Sequence, residues 1–116
     1  MTLPRILMVE DQSDLLAIIS DALSGFGYQV FIAANGLEAL ELMRGDVRFD
    51  HIISDVSMPE GISGIDLAEH AARLQPQARF VLVSGYIKAQ LPPLPEGVHF
   101  LPKPYRLGQL VQALKD

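Results

Sequence analysis

Four apolar runs in this chain each end on a residue with chemistry. Ile6-Leu7-Met8-Val9 ends at Glu10-Asp11, His51-Ile52-Ile53 at Ser54-Asp55, Phe80-Val81-Leu82-Val83 at Ser84, and Val98-His99-Phe100-Leu101 at Pro102-Lys103. Continuous rather than alternating apolar runs mark strands buried on both faces, the habit of a parallel sheet. Neighbouring parallel strands end along one edge. Three carboxylates, a hydroxyl and an ammonium would therefore share one crevice, and that combination is a cation site with a nucleophile in it.

Amphipathic segments separate the runs, so the pattern is α/β. After the first run Leu15, Ile19, Leu23 and Phe26 recur at helical spacing, with Leu16, Ile18 and Ala22 widening the stripe. Gly25 and Gly27 offer a left-handed stop. Tyr28 to Ala33 reads as a second strand, and Asn35-Gly36-Leu37-Glu38 as a capping box opening a helix that runs through Leu40 and Met43 to near Gly45. Residues 50–54 make a third strand. Pro59 to Gly64 is a loop, with Ser63 as cap of a helix carrying Ile65, Leu67, Ala68, Ala72 and Leu74. The fourth strand covers Arg79 to Val83. Phe26, Phe31, Phe49 and Phe80 are read as core.

The next segment breaks the rhythm. A helix is due, but Leu91-Pro92-Pro93-Leu94-Pro95 supplies three prolines. Each lacks a backbone donor and biases its predecessor away from the helical region. At most a turn is expected near Tyr86 to Gln90, then irregular chain and a short fifth strand. Leu107, Leu110, Val111 and Leu114 mark a last helix.

The 116 residues are expected to form one domain, and a hydrophobic content of 49% supplies its core. The net charge of -5 argues against general binding to nucleic acid or anionic lipid. The absence of cysteine excludes disulfides, thiol catalysis and zinc–thiolate sites. No long apolar stretch follows the start Met1-Thr2-Leu3-Pro4-Arg5, so a signal peptide is not expected. No run approaches a membrane span. A cytoplasmic location without membrane insertion is expected. The glycines form neither a phosphate-binding loop nor a dinucleotide fingerprint. His51, His70 and His99 lack metal-ligand spacing and are read as non-catalytic.

A doubly wound parallel sheet binds ligands outside the carboxyl ends of its strands, where strand order reverses. In the flavodoxin-like order that point lies between strands one and three, which end at Glu10-Asp11 and Asp55. Carboxylates this close repel one another, and a hard divalent cation relieves the conflict. Mg²⁺ suits the site, since it takes oxygen ligands and keeps several waters. A carboxylate beside it can act as nucleophile and form an aspartyl phosphate. The transferring phosphoryl group needs a metal, a hydrogen-bond donor and a fixed cation, for which Asp11, Ser84 and Lys103 are the right residue types. Taken singly, Glu10 or Asp11 could cap the first helix, Asp55 could start a turn, Ser84 could be a strand-end hydroxyl and Lys103 a solvated lysine. Together, at the same end of different strands, they favour the site.

At these residues the chain resembles the receiver domain of two-component response regulators, over essentially residues 1–116. The carriers are Ile6-Leu7-Met8-Val9-Glu10-Asp11, Ala34-Asn35-Gly36-Leu37-Glu38-Ala39-Leu40, Asp55-Val56-Ser57-Met58-Pro59, Val83-Ser84-Gly85-Tyr86 and Leu101-Pro102-Lys103-Pro104-Tyr105. The resemblance implies a flavodoxin-like, doubly wound five-stranded parallel sheet of order 2-1-3-4-5 with flanking helices, here with the helix before strand five short or absent. It implies phosphoryl transfer to Asp55 from a sensor histidine kinase or a histidine phosphotransfer domain. Asp11, Asp55 and the Ser57 carbonyl would hold Mg²⁺, with Glu10 acting directly or through water. Ser84 matches the switch hydroxyl, Phe100 the switch aromatic, and Lys103-Pro104 the family's usual cis bond. Ser57 and Tyr86 stand where the family tunes dephosphorylation, and the bulk of Tyr86 would shield the phosphoryl group.

Two departures from the family pattern stand out. The loop Glu60-Gly61-Ile62-Ser63-Gly64 is about one residue longer than usual and has Ser63 where an Asp is common. The proline-rich stretch replaces most of a helix that normally meets output partners, which puts dimerisation through that helix in doubt. The expected function is a phosphorylatable switch that catalyses only its own phosphorylation and dephosphorylation. A phosphorylation-independent binding module is one alternative. A phosphatase of the haloacid dehalogenase type is another, disfavoured because that family wants an Asp where Ser57 stands. No direct contact with DNA is expected of these residues. If the chain is complete, output is expected to pass through a downstream protein partner that the sequence does not name or by onward phosphotransfer. If it is excised, the parent would be a hybrid kinase or a multidomain regulator.

Overall fold

The computed structural model describes residues 2–57 and 61–115. Met58, Pro59 and Glu60, the end of the motif that begins at Asp55 and the start of the loop read from sequence, lie outside the described residues. The elements alternate: β1 (Arg5–Val9), α1 (Ser13–Gly25), β2 (Gln29–Ala33), α2 (Gly36–Arg44), β3 (His51–Asp55), α3 (Gly64–Leu74), β4 (Arg79–Ser84), β5 (His99–Pro102) and α4 (Leu107–Lys115). All strands are parallel, in the order β2-β1-β3-β4-β5. This is the flavodoxin-like arrangement, with the reversal of order at β1 and β3.

Side chains alternate across the sheet and bury two cores. Leu7, Val9, Ile52 and Leu82 pack under α2 and α3 with Leu40, Leu67 and Ala71. Ile6, Met8, Ile53, Val81 and Val83 pack under α1 and α4 with Leu16, Leu23, Leu110 and Leu114. Each such aliphatic side chain contributes about 1.5–3 kcal/mol when fully buried. The helices carry the chain back across the sheet, so every strand points its carboxyl end the same way.

The caps follow the local sequence. The Asn35 side chain accepts from the Glu38 N–H at 2.9 Å, and the Glu38 carboxylate accepts in return from the Ala34 N–H at 3.2 Å. Ser63 and Asp66 form a full capping box on α3. Helix α1 starts after Gln12 with no side-chain cap, so neither Glu10 nor Asp11 is its N-cap.

The segment between β4 and β5 holds one 3-10 turn, Lys88–Gln90, followed by irregular chain with a tight turn at Glu96 and Gly97. Leu91, Leu94 and Val98 pin this strap onto the α2/α3 core while Pro92 and Pro93 face solvent.

Two core assignments are corrected. Phe26 is 58% and Ile18 66% exposed. Helix α1 ends at Gly25, so helical spacing no longer governs Phe26. Ile18 sits a third of a turn off the buried line of Leu16, Ile19 and Leu23, outside the arc that the sheet covers.

Candidate functional site

The strand ends converge because the register brings them level. Val9 lies beside Ser54, Asp55 beside Val83, and Ser84 beside Pro102. Asp55 ends the central strand β3 and is 9% exposed. Its Oδ1 accepts from the Ser57 N–H at 3.1 Å, and its Oδ2 is ion-paired with Lys103 Nζ. Ser54 below it is fully buried, and its hydroxyl donates to the Asp55 carbonyl at 3.0 Å. Asp55 is thus fixed both through its backbone and through its carboxylate.

Glu10 is 3% exposed, and its Oε2 accepts from the Gln12 N–H at 3.0 Å. Burial pushes its carboxyl above the ordinary range. The Gln12 donor counteracts this, Asp11 and Asp55 raise it further, and Lys103 lowers it. Asp11 is exposed at the mouth. Ser84 is 1% exposed, and its Oγ accepts from the Tyr86 N–H at 2.9 Å. Lys103 is tied to the same strand end, since its N–H donates to the Ser84 carbonyl at 2.7 Å. The Lys103-Pro104 peptide bond is cis.

The donors suit a hard cation in their chemistry. The carboxylates of Glu10, Asp11 and Asp55 meet at one edge, where among the described residues Lys103 is the cation paired with them. Asp55 adds to the rise that burial imposes on the Glu10 carboxyl, while Lys103 opposes it. Among the described residues no three acidic or imidazole side chains form a ready-made metal cage. Mg²⁺ needs none, because it binds through one or two carboxylates and retains water.

The remaining expected residues sit as follows. Phe100 is half-buried on β5, level with Leu82, and Tyr86 is exposed just beyond Ser84. His51 lies at the opposite end of β3, its ring edge-on to Tyr28 at 6.0 Å. Burial, foremost, holds its imidazole below the usual range. His70 pairs with Arg73 at 2.7 Å on α3.

Three residues escaped sequence reasoning, Tyr105 and Gly64 beside the site and Gln75 at the opposite end of the sheet. Tyr105 is half-buried, and its phenol is pushed up to about 12 by burial and by the charges of Glu10 and Asp55. It lines an apolar groove of about 650 Å³ with Leu15, Ile18, Ile19 and Leu107, which opens beside Lys103. Gly64 packs so closely under Asp55 that a Cβ there would lie 2.1 Å from the Asp55 carbonyl oxygen. Gln75, 2% exposed, receives the Phe49 N–H at 3.1 Å and donates to the Met43 and Val47 carbonyls, both at 3.0 Å. It closes the α2–β3 connection that sets the start of β3. The only sequence signal for Gln75 was its place before Pro76, which marks a helix end and nothing more.

Comparison with known proteins gives a consistent picture. Residues 6–115 match the family model described as response regulator receiver domain. The chain is 38% identical to the sensor kinase CckA of Brucella abortus, covering 96% of this chain but 12% of that protein. It is 32% identical to the response regulator receiver protein CpdR of the same organism, over 96% of this chain and 93% of CpdR. Among solved structures, the response regulator TrrA of Thermotoga maritima in complex with Mg²⁺ and BeF superposes with a TM-score of 0.83 at 27% identity, covering 97% of each chain. The receiver domain of the hybrid histidine kinase CckA gives 0.79 at 37%, covering 96% of this chain and 95% of that one.

Proposed function

Because the chain belongs to the response regulator receiver domain family, the receiving component of two-component signalling, we propose that Asp55 accepts a phosphoryl group from a phosphohistidine of a sensor kinase or phosphotransfer domain. The observation that carries this reading is Asp55 itself: a buried carboxylate at the switch point, with one oxygen held by the Ser57 N–H and the other by Lys103.

A carboxylate oxygen of Asp55 attacks phosphorus, the P–N bond of the donor breaks, and the imidazole leaves with its electron pair. Lys103 gives up part of its ion pair with Asp55 and neutralises the arriving oxygens. The Ser57 N–H and the Ser84 hydroxyl, both at the same edge, donate to the oxygens that remain. Glu10, Asp11, Asp55 and the Ser57 carbonyl would hold Mg²⁺, which supplies charge neutralisation of the transferring group. The apolar groove beside Lys103, which includes the exposed Ile18, offers a seat for the helix that presents the phosphohistidine. The chain acts as a switch, and its catalysis is confined to its own phosphorylation and dephosphorylation. A cytoplasmic location fits this role, and no described helix is long and apolar enough to cross a membrane.

The test is intact-mass measurement after incubation with Mg²⁺ and acetyl phosphate. One phosphoryl group is expected, absent in Asp55→Asn and in chelator. No adduct under saturating donor would favour a binding module that does not use phosphate. Steady turnover of many phosphate esters would favour a phosphatase.

A further inference from the structure

Strand β2 is an edge of the sheet, and among the described residues no further strand pairs with its outer side. In Gln29-Val30-Phe31-Ile32-Ala33 there is no charge, proline or glycine, although such residues are the usual means of keeping an edge from pairing. The other edge differs: β5 ends in Pro102 and follows the proline-rich strap.

The hydrogen bonds define what the free edge offers. The Gln29 N–H donates to the Pro4 carbonyl, and the Ala33 carbonyl accepts from the Glu10 N–H. Odd residues of β2 therefore face β1. Strand alternation turns the N–H and C=O groups of Val30 and Ile32 outward. Ile32 is 55% exposed, while Val30 and Phe31 are half-buried.

Charge is also distributed along this edge. Glu38 and Glu41 share a surface hollow with Ile32 near the carboxyl end of β2. Arg5, whose Nε donates to Gln29 Oε1 at 3.3 Å, lies at the amino end, and Arg44 lies in the last turn of α2, which runs back toward that end.

We propose that β2 is a self-association edge, pairing antiparallel with β2 of a second copy of this chain about a two-fold axis at Phe31. Val30 then stands opposite Ile32 of the second copy, and Ile32 opposite its Val30. Both are hydrogen-bonded pairs, so the four outward main-chain groups of each strand are satisfied. Phe31 meets its own equivalent as a non-hydrogen-bonded pair, the closer of the two kinds, and an aromatic and two β-branched cross-strand pairs result. The acidic carboxyl end of each edge faces the basic amino end of the other. A patch that complements itself under a two-fold closes as a dimer and does not propagate. The two sheets become one, and both phosphoacceptor crevices remain open. The inference does not depend on the phosphotransfer reading.

Light scattering across a concentration series tests it. The apparent mass should rise from 12.7 kDa to twice that value as protein approaches millimolar, and Ile32→Lys should hold it at the monomer. Glu41→Arg should weaken association, and Glu41→Arg with Arg44→Glu should restore it. Because the chain has no cysteine, Phe31→Cys should give a disulfide-linked dimer on oxidation, whereas Ala89→Cys on the strap should not. A monomer throughout, or a dimer indifferent to Ile32→Lys, overturns the proposal.

Discussion

Replacing Gly64 by alanine should damage the fold and the site at once. The added Cβ would stand 2.1 Å from the Asp55 carbonyl oxygen, 2.8 Å from its carbonyl carbon and 2.9 Å from Leu82 Cδ1. Relieving the first contact needs a shift on the order of 1 Å, since packed atoms tolerate little less than van der Waals separation. Overpacking absorbed by flexible side chains costs about 1–3 kcal/mol. Here the obstacle is the main chain of the central strand, so about 3 kcal/mol or more is expected. A domain of this size holds roughly 5–15 kcal/mol in total. Urea unfolding of Gly64→Ala should show a lower midpoint at unchanged slope. Gly85→Ala, with nothing within 4 Å of its Cβ, should stay within about 0.5 kcal/mol of the parent. The displaced Asp55 backbone should also slow uptake of phosphate from acetyl phosphate. A Gly64→Ala variant within 1 kcal/mol of the parent and labelled at the parental rate would refute the reasoning.

Other outcomes follow from the same geometry. Gln75→Ala strands the Phe49 N–H and two carbonyls and should cost about 2–4 kcal/mol by urea unfolding, without altering the labelling rate of the folded fraction. Ser63→Ala removes the α3 cap and should cost about 0.5–2 kcal/mol in the same assay. The folded-state carboxyl of Glu10 is raised, so its ionisation weighs against the fold: the penalty is absent below the unfolded pKa, grows as pH rises toward the folded value and is complete above it. Glu10→Gln should therefore raise the metal-free melting temperature at neutral pH, and the gain should vanish as pH falls to the ordinary carboxylate range. Tyr86→Ala should release phosphate faster than the parent if the ring shields the phosphoryl group; equal or slower decay would discard that role.

The sheet was legible because its strands are continuous apolar runs, and the crevice because each run ends in a residue that would be costly to bury without purpose. The caps at Asn35 and Ser63 were legible because capping is local, requiring residues three apart and little else. Helix α1 was legible in position but not in orientation. Leu16, Ile19 and Leu23 could be named as buried, yet which neighbours shared that arc depended on how the sheet covered them, and Ile18 fell outside it. Gln75 and Gly64 were illegible for a common reason. Their roles arise from partners 26 to 32 residues distant for Gln75 and nine for Gly64, and a glutamine or glycine near a helix end carries no mark of such a partner. Tyr105 shows the same limit, since only the folded chain reveals the burial and the neighbouring carboxylates that raise its phenol.

The main-chain bond from Lys103 to Ser84 has a consequence for how this domain can change over time. It closes the whole excursion between them at its base, beside the reacting groups. Tyr86 is tied to the same root through the Ser84 hydroxyl, so the part free to vary is the chain beyond it. Lengthening such a closed excursion is cheap, about 0.6 kcal/mol for each doubling. The prolines of the strap can therefore be exchanged or the strap lengthened at small entropic cost while Ser84 and Lys103 stay joined.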